Sequence, residues 1–183
     1  LLFSLYDLFN NKNIILMNRR DFLKNGSLLA GGLFLSQFEA FGATKKIKPR
    51  KIGAGEKVNL ACIGIGNRAA DIIKELYKTG HCNIVALCDT ELGAPHTLEI
   101  MKKFPTANQY RDFRVMFDKM ANKIDAVCIG TPDFSHFPAT MLSMSLGKHV
   151  YLEKPMAHTF NEVELLMKGA KKYGVVTQMG NQG

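Results

Sequence analysis

The stretch Val58-Asn59-Leu60-Ala61-Cys62-Ile63-Gly64-Ile65-Gly66-Asn67-Arg68-Ala69 decides the fold of this chain. An apolar run of strand length meets a glycine turn, and the turn opens a helix. This G-x-G-x-x-(G/A) spacing is the arrangement that seats a dinucleotide pyrophosphate. Gly64 permits the tight turn, and Gly66 lets a phosphate approach the backbone. The first helical turn, with Asn67 and Arg68, then presents free N–H groups to the phosphate.

A second apolar run supports this interpretation, because a glycine pair by itself is common in ordinary turns. Residues 83–88 form a strand-like run that ends in Asp89, which lies 25 positions after Gly64. That offset is close to the roughly 20 residues expected for the ribose-binding carboxylate. Thr90 and Glu91 follow, not Arg or Lys, so the pattern favours NAD over NADP. The alternative for Asp89 is a turn residue at a strand end.

Strands and helices alternate through the rest of the chain, which predicts an α/β fold with a doubly wound parallel sheet (Rossmann). With right-handed crossovers, six strands give the order 3-2-1-4-5-6. The elements expected after Asp89 are a helix over 92–104, a strand near Gln109-Tyr110, a helix over 113–121, a strand over 125–130, a helix over 136–146, a strand over 149–152, a last helix and a strand over 175–178. A capping box, Thr159 to Glu162, opens the last helix. Its buried face is predicted to hold Phe160, Val163, Leu166, Met167, Ala170 and Tyr173.

The charge of the chain argues against a nucleic-acid partner. The 183 residues carry a formal net charge of +8, but Val58 onward holds 14 basic and 12 acidic residues. The excess lies mainly in a short basic segment before the glycine turn, without interleaved aromatic residues. Cys62, Cys82, Cys88 and Cys128 show no metal-ligand spacing, so they are expected to be small buried side chains, and no metal site is predicted.

The front of the chain is expected to lie outside the fold. Asn18-Arg19-Arg20-Asp21-Phe22-Leu23-Lys24 is a twin-arginine pattern, and a moderately apolar run with glycines follows it. Residues 17–42 are therefore interpreted as an export signal for the periplasm or cell envelope, not as a stable membrane span. The alternative is an amphipathic start with two chance arginines. Residues 1–16 are interpreted as upstream sequence translated in error, and residues 43–57 as a flexible basic linker.

Three polar clusters follow the fourth, fifth and sixth predicted strands, at the edge where a cofactor binds in such a sheet. They are residues 130–136, Glu153-Lys154-Pro155 and residues 178–183. Together with the glycine turn, Thr131-Pro132 and Glu153-Lys154-Pro155 resemble the Gfo/Idh/MocA oxidoreductases. The resemblance covers residues 58–183. Members of that family carry a further C-terminal α/β domain that supplies much of the substrate pocket, so the chain is interpreted as a fragment without its substrate domain.

The resemblance assigns roles to individual residues. Lys154 matches the lysine beside the nicotinamide and the reacting carbon, where its ammonium assists proton transfer from the substrate hydroxyl. Glu153 matches a residue that contacts the nicotinamide-side ribose, and the Lys154–Pro155 bond is cis in some relatives. Thr131, Pro132 and His136 match the loop beside the cofactor, although a His136 bonded only to backbone is an equal alternative. Asn181 is a candidate contact for the carboxamide or the substrate.

Three functions stay open at this point. The first is an NAD-dependent oxidoreductase that transfers hydride from a sugar or polyol. The second is a glycosidase or lyase that oxidises a sugar transiently with tightly bound NAD. The third is a non-catalytic nucleotide-binding module. A homo-oligomer is expected only for the complete protein. His81, His96, His149 and His158 form no visible constellation and are expected to be structural or exposed.

Overall fold

The computed structural model describes residues 49–181, and these form a six-stranded parallel sheet of order β3-β2-β1-β4-β5-β6. The predicted strand order is therefore confirmed. The strands are β1 Val58–Ile63, β2 Cys82–Cys88, β3 Asn108–Tyr110, β4 Ala126–Ile129, β5 His149–Leu152 and β6 Thr177–Met179. The interpretations of residues 1–16, of the export signal over 17–42 and of the basic segment up to residue 48 lie outside the described residues, as do positions 182 and 183.

Five α-helices connect the described strands. They are α1 Asn67–Lys78, α2 Pro95–Lys103, α3 Phe113–Met120, α4 His136–Ser145 and α5 Phe160–Tyr173. Helix α2 begins at Pro95, three residues later than predicted. A proline is favoured at the first helical position because the N–H that it lacks would have no intrahelical acceptor there. The capping box predicted for α5 is present, with the Thr159 side chain accepting from the Glu162 N–H and the Glu162 side chain accepting in return.

The core has two layers, one on each face of the sheet. Alternate residues of β1 point to opposite faces, so Ala61 and Ile63 join one apolar cluster while Leu60 and Cys62 join the other. Helices α1 and α2 contribute buried residues to the cluster of Leu60, whereas α3, α4 and α5 contribute to the cluster of Ala61. Both faces of the parallel sheet are thus covered.

The predicted buried face of α5 is wrong at two positions. Phe160 is 92% exposed and Met167 is 66% exposed, whereas Leu166 and Gly169 are buried. Each helical residue turns about 100° from the one before it, so Met167 lies at the exposed edge of the face that holds Leu166. Leu166, Ala170 and Tyr173 keep to one side and pack on the core. Gly169 lies on the same side, where α5 packs so closely that a Cβ would come within 2.8 Å of the Met144 side chain.

In the described part of the basic segment, residues 49–57, one side chain bonds to the sheet domain, whereas the flexibility expected for the segment stays a prediction. Arg50 donates two hydrogen bonds to Asp125, Nε to Oδ1 at 2.7 Å and an Nη to Oδ2 at 2.9 Å. The Asp125 carboxylate is almost fully buried and also accepts from the Asn59 N–H. A buried carboxylate requires such partners, and the hydrogen bond from Arg50 is the largest cause of the lowered pKa of Asp125. This contact lies at the amino edge of the sheet, beside a cleft of about 670 Å³.

The four cysteines lie in the sheet as buried free thiols, in agreement with the sequence-based expectation. Burial raises the pKa of Cys88 and of Cys128 to about 12, so neither thiol ionises at neutral pH. Among residues 49–181 there is no helix with the length and apolar character needed to cross a membrane.

Candidate cofactor-binding site

The predicted site residues converge at the carboxyl edge of the sheet. The strand register places Ile63 opposite Cys88 and Ile129, Ile129 opposite Leu152, and Leu152 opposite Met179. One or two residues beyond these strand ends stand the candidates from five strands, namely Gly64, Asp89, Thr131, Glu153, Lys154 and Asn181. Segments far apart in the sequence are thus brought to one place by the parallel pairing.

The glycine turn depends on the absence of two side chains. Gly64 has φ +78°, and a Cβ there would lie 2.6 Å from the Thr131 nitrogen and 2.7 Å from the Gly130 carbonyl carbon. Its N–H donates to the Cys88 carbonyl at 2.8 Å. Gly64 therefore serves the turn and also lets the turn pack directly on the loop after β4. At Gly66 the space that a Cβ would fill is bordered by the imidazole of His96.

The amino end of α1 is suited to an anion. Its N-cap, Gly66, offers no side-chain cap, and the first turn contains no acidic residue. The first N–H groups of a helix have no intrahelical acceptor, and the helix dipole favours negative charge there. Asn67 and Arg68 are exposed at this end, with Asn67 at φ +48°. The turn thus presents donors and no competing carboxylate from its own helix.

Asp89 is held against the glycine turn. Its Oδ2 accepts from the Ile65 N–H at 3.0 Å, and its Oδ1 accepts from the Glu91 N–H at 2.9 Å. Each carboxylate oxygen has a second lone pair, so both can still accept a hydrogen bond from a ribose hydroxyl. The contact with Ile65 explains how an acid 24 residues downstream is fixed beside the turn.

The loop after β4 combines a free hydroxyl and a fully engaged histidine. The Thr131 Oγ1 is buried and has no hydrogen-bond partner within residues 49–181, and Pro132 follows it. His136 is 1% exposed, with Nδ1 2.6 Å from the Pro155 carbonyl and Nε2 2.9 Å from the Thr131 carbonyl. Both ring nitrogens face backbone, which favours the alternative that His136 holds loops together without touching the cofactor.

A second histidine links the same two loops. His158, which follows β5, lies with its Nε2 3.2 Å from the Asp133 Oδ2 in the loop after β4. The hydrogen bond from His158 is the main cause of the lowered pKa of Asp133. The loops after β4 and β5 are therefore joined twice, once through His136 and once through His158.

Glu153, Lys154 and Pro155 follow β5, with a cis bond between Lys154 and Pro155. Glu153 is 6% exposed, and its Oε2 accepts from the Lys154 N–H at 3.2 Å. Lys154 is exposed, and its ammonium has no ion-pair or hydrogen-bond partner in the described part of the chain. A free ammonium at the edge of the site is available to a substrate hydroxyl.

Gly180 makes room for the buried acid, a role that the sequence reasoning missed. A Cβ on Gly180 would lie 2.9 Å from the Glu153 Cδ and 2.9 Å from the Tyr151 hydroxyl oxygen. Its N–H donates to the Leu152 carbonyl, which carries the pairing of β5 and β6 one residue further. Asn181 follows at the exposed rim. The signal for Gly180 was its place directly after the sixth strand.

These groups fit a dinucleotide. The uncapped α1 terminus suits the pyrophosphate, Asp89 suits a ribose, and the unused Thr131 hydroxyl is a spare donor beside the turn. No group of three His, Cys, Asp or Glu side chains placed to hold a metal ion occurs among the residues that the structure describes.

Comparisons with known proteins agree with this fit. The family model GFO_IDH_MocA, described as "Oxidoreductase family, NAD-binding Rossmann fold", matches residues 58–181. A glycosyl hydrolase family 109 protein of Shewanella pealeana is 30% identical over 175 residues, which are 85% of this chain and 37% of that protein. The D-glucoside 3-dehydrogenase of Escherichia coli is 30% identical over 120 residues, 65% of this chain and 33% of that protein.

The fold also has solved counterparts. The crystal structure of myo-inositol 2-dehydrogenase from Lactobacillus plantarum superimposes with a TM-score of 0.60 at 26% identity, covering 68% of this chain and 36% of that one. The chain thus spans about a third of the length of these proteins. The family model covers most of the chain, and the strand order and glycine turn agree with it. Together these observations establish the family. The chain belongs to the Gfo/Idh/MocA oxidoreductase family, and its residues 58–181 form the NAD-binding Rossmann domain of that family.

Proposed function

We propose that the complete protein removes hydride from a hydroxyl-bearing carbon of a sugar or polyol, with Lys154 as the proton-transfer residue. The observation that carries the proposal is the unpartnered ammonium of Lys154 at the carboxyl edge of β5. Bound NAD supplies the hydride acceptor. Lys154 orients the substrate hydroxyl and takes part in removing its proton as the carbon is oxidised. Glu153 and the Pro155 turn hold the lysine at that edge.

NAD is the proposed form of the cofactor, in preference to NADP. The Asp89 carboxylate lies beside the turn, and a 2′-phosphate there would meet its negative charge. Glu91 adds a second carboxylate in the same loop, and no Arg or Lys stands between them. Both features support a cofactor with free ribose hydroxyls.

A redox-neutral glycosidase is the second candidate, and the similarity to the Shewanella glycosyl hydrolase family 109 protein favours it. In this route a sugar hydroxyl is oxidised, the glycosidic leaving group departs by elimination, water adds, and the hydride returns to the sugar. The net reaction is hydrolysis, with no change in the amount of reduced cofactor. Lys154 would serve the oxidation step in the same way.

One experiment separates the two candidates. The complete protein is incubated with a panel of glycosides and polyols, with and without added NAD, while sugar release and absorbance of reduced cofactor are followed. Sugar release without added NAD and without net reduction supports the glycosidase. Reduction that requires added NAD supports the dehydrogenase.

Variants at Lys154 test the shared step. Lys154→Ala is expected to lower the chemical rate by about 10²- to 10⁴-fold while leaving the NAD dissociation constant within about threefold. Lys171→Ala, an exposed lysine on α5, is the matched control and should behave as wild type. An unchanged rate in Lys154→Ala would overturn the role of Lys154, whereas NAD binding by the wild-type protein without turnover of any substrate would favour a non-catalytic nucleotide-binding module.

We also propose that the protein is exported by the twin-arginine route, which carries folded proteins and so delivers a cofactor loaded in the cytoplasm. The support is the pattern Asn18 to Lys24 together with the dinucleotide site. Replacing Arg19 and Arg20 by lysines should retain the protein in the cytoplasm on cell fractionation. Unaltered fractionation would contradict the proposal.

A further inference from the structure

A histidine outside the family resemblance lies over the glycine turn. His96 is the second residue of α2, and its side chain is 32% exposed. The atoms nearest to the position of a Cβ on Gly66 all belong to its imidazole, with Cγ at 3.2 Å and Nε2 at 3.3 Å. The ring therefore covers the backbone face that a glycine at this motif position leaves open for phosphate.

The ring is connected to the turn through the loop after β2. The His96 Nε2 lies 3.2 Å from the Glu91 Oε2, which is an ion pair when the imidazole is protonated. The Glu91 N–H donates to Asp89, and Asp89 accepts from the Ile65 N–H inside the turn. His96 thus contacts the side chain of Glu91, whose backbone is bonded to the acid expected to hold the ribose.

The partner of His96 is easily exchanged. The Glu91 side chain is 66% exposed, so water can replace the imidazole as its donor at little cost. The first turn of α1, next to the ring, contains no acidic residue of its own and has no side-chain cap. An anion on Gly66 would therefore meet helix N–H groups on one side and the His96 N–H on the other.

We propose that His96 is a dinucleotide-binding residue whose Nε2–H exchanges the Glu91 carboxylate for a pyrophosphate oxygen. The ring swings off Gly66 as the phosphate settles on the turn and then donates to it from the α2 side. The inference rests on the proposed cofactor, and it assigns to the β2–α2 loop a phosphate contact in addition to the ribose contact of Asp89.

Binding of ADP-ribose tests the proposal without any catalytic step, since this probe carries the pyrophosphate but no nicotinamide. His96→Ala should weaken ADP-ribose binding about tenfold in isothermal titration calorimetry, as expected for a lost hydrogen bond to a charged acceptor. Binding of adenosine, which has no phosphate, should stay within about twofold by ligand-observed NMR. His96→Gln keeps an N–H donor and should recover most of the affinity.

His81→Ala is the matched control, because His81 is an exposed histidine at the opposite end of β2. It should bind both probes as wild type does. Wild-type or tighter ADP-ribose binding by His96→Ala would overturn the proposal, as would an equal loss for adenosine. Failure of the wild-type chain to bind ADP-ribose would instead overturn the proposed cofactor, and the role of His96 with it. Thermal melting of each variant verifies that the fold is kept.

Discussion

Replacing Gly64 by alanine tests the most constrained contact of the glycine turn. Gly64 has φ +78°, and a Cβ would lie 2.6 to 2.8 Å from three backbone atoms of Gly130 and Thr131. The left-handed conformation costs a non-glycine residue about 1–2 kcal/mol. Backbone atoms cannot rotate away as a flexible side chain can, so the clash adds about 1–3 kcal/mol. The free energy of unfolding of Gly64→Ala should therefore fall by about 2–5 kcal/mol.

Gly80→Ala provides a control that separates the two causes. Gly80 has φ +75°, nearly the same conformation, but no atom lies within 4 Å of the position of its Cβ. Only the conformational cost of about 1–2 kcal/mol applies to it. Urea unfolding of both variants, with equal m-values as the test of an unchanged unfolded state, measures the difference. Equal losses for the two variants would refute the argument that packing of the turn on the loop after β4 requires Gly64.

Three further predictions concern residues around the sheet. Arg50→Ala should raise the pKa of Asp125 toward its ordinary value. Because the native pKa is lowered, the stability that Arg50 provides is present above about pH 4 and is lost as the pH falls through the native pKa. In urea unfolding from pH 7 to pH 3, the difference in free energy of unfolding between wild type and variant should therefore become smaller. Thr131→Val should leave the free energy of unfolding within about 1 kcal/mol of wild type, because the hydroxyl has no partner in the described residues, whereas NAD affinity should fall severalfold; Thr140→Val removes a similarly unpartnered hydroxyl from α4 and should leave both unchanged by calorimetry. Asp89→Asn should weaken NAD binding about tenfold in titration calorimetry and lower the ratio of NAD affinity to NADP affinity. An unchanged ratio would contradict the role of Asp89 in binding the ribose.

The strand order and the glycine turn were predictable because they depend on local patterns. Residues 58–69 contain a strand, a turn and a helix start in one continuous segment, and crossover handedness then limits the topology. The capping box at Thr159 was equally local. The predicted start of the edge strand β6 was two residues too early, because a short exposed strand has no strong apolar alternation that marks its bounds.

The contacts that complete the site were not predictable from spacing. Gly180 matters because β6 lies beside β5 and brings it against Glu153, and His96 matters because α2 begins above Gly66. The anchoring of Arg50 on Asp125 joins residues 75 positions apart. Each of these contacts joins segments that are distant in the sequence, and local sequence patterns do not reveal such contacts. The exposure of Phe160 shows the converse limit, since an apolar residue near a helix start need not face the core.

The two histidine links between the loops after β4 and β5 have a consequence for how the site opens. His136 bonds to backbone of both loops, and His158 adds an exposed contact to Asp133, so the segments that carry Thr131 and Lys154 are tied to each other. No such link to the loops after β4 and β5 is present in the loop between β2 and α2 among residues 49–181, so we expect that loop to adjust more readily when a ligand binds. Lys154, on the bonded side, is then expected to keep its position when a ligand binds, while the loop between β2 and α2 adjusts.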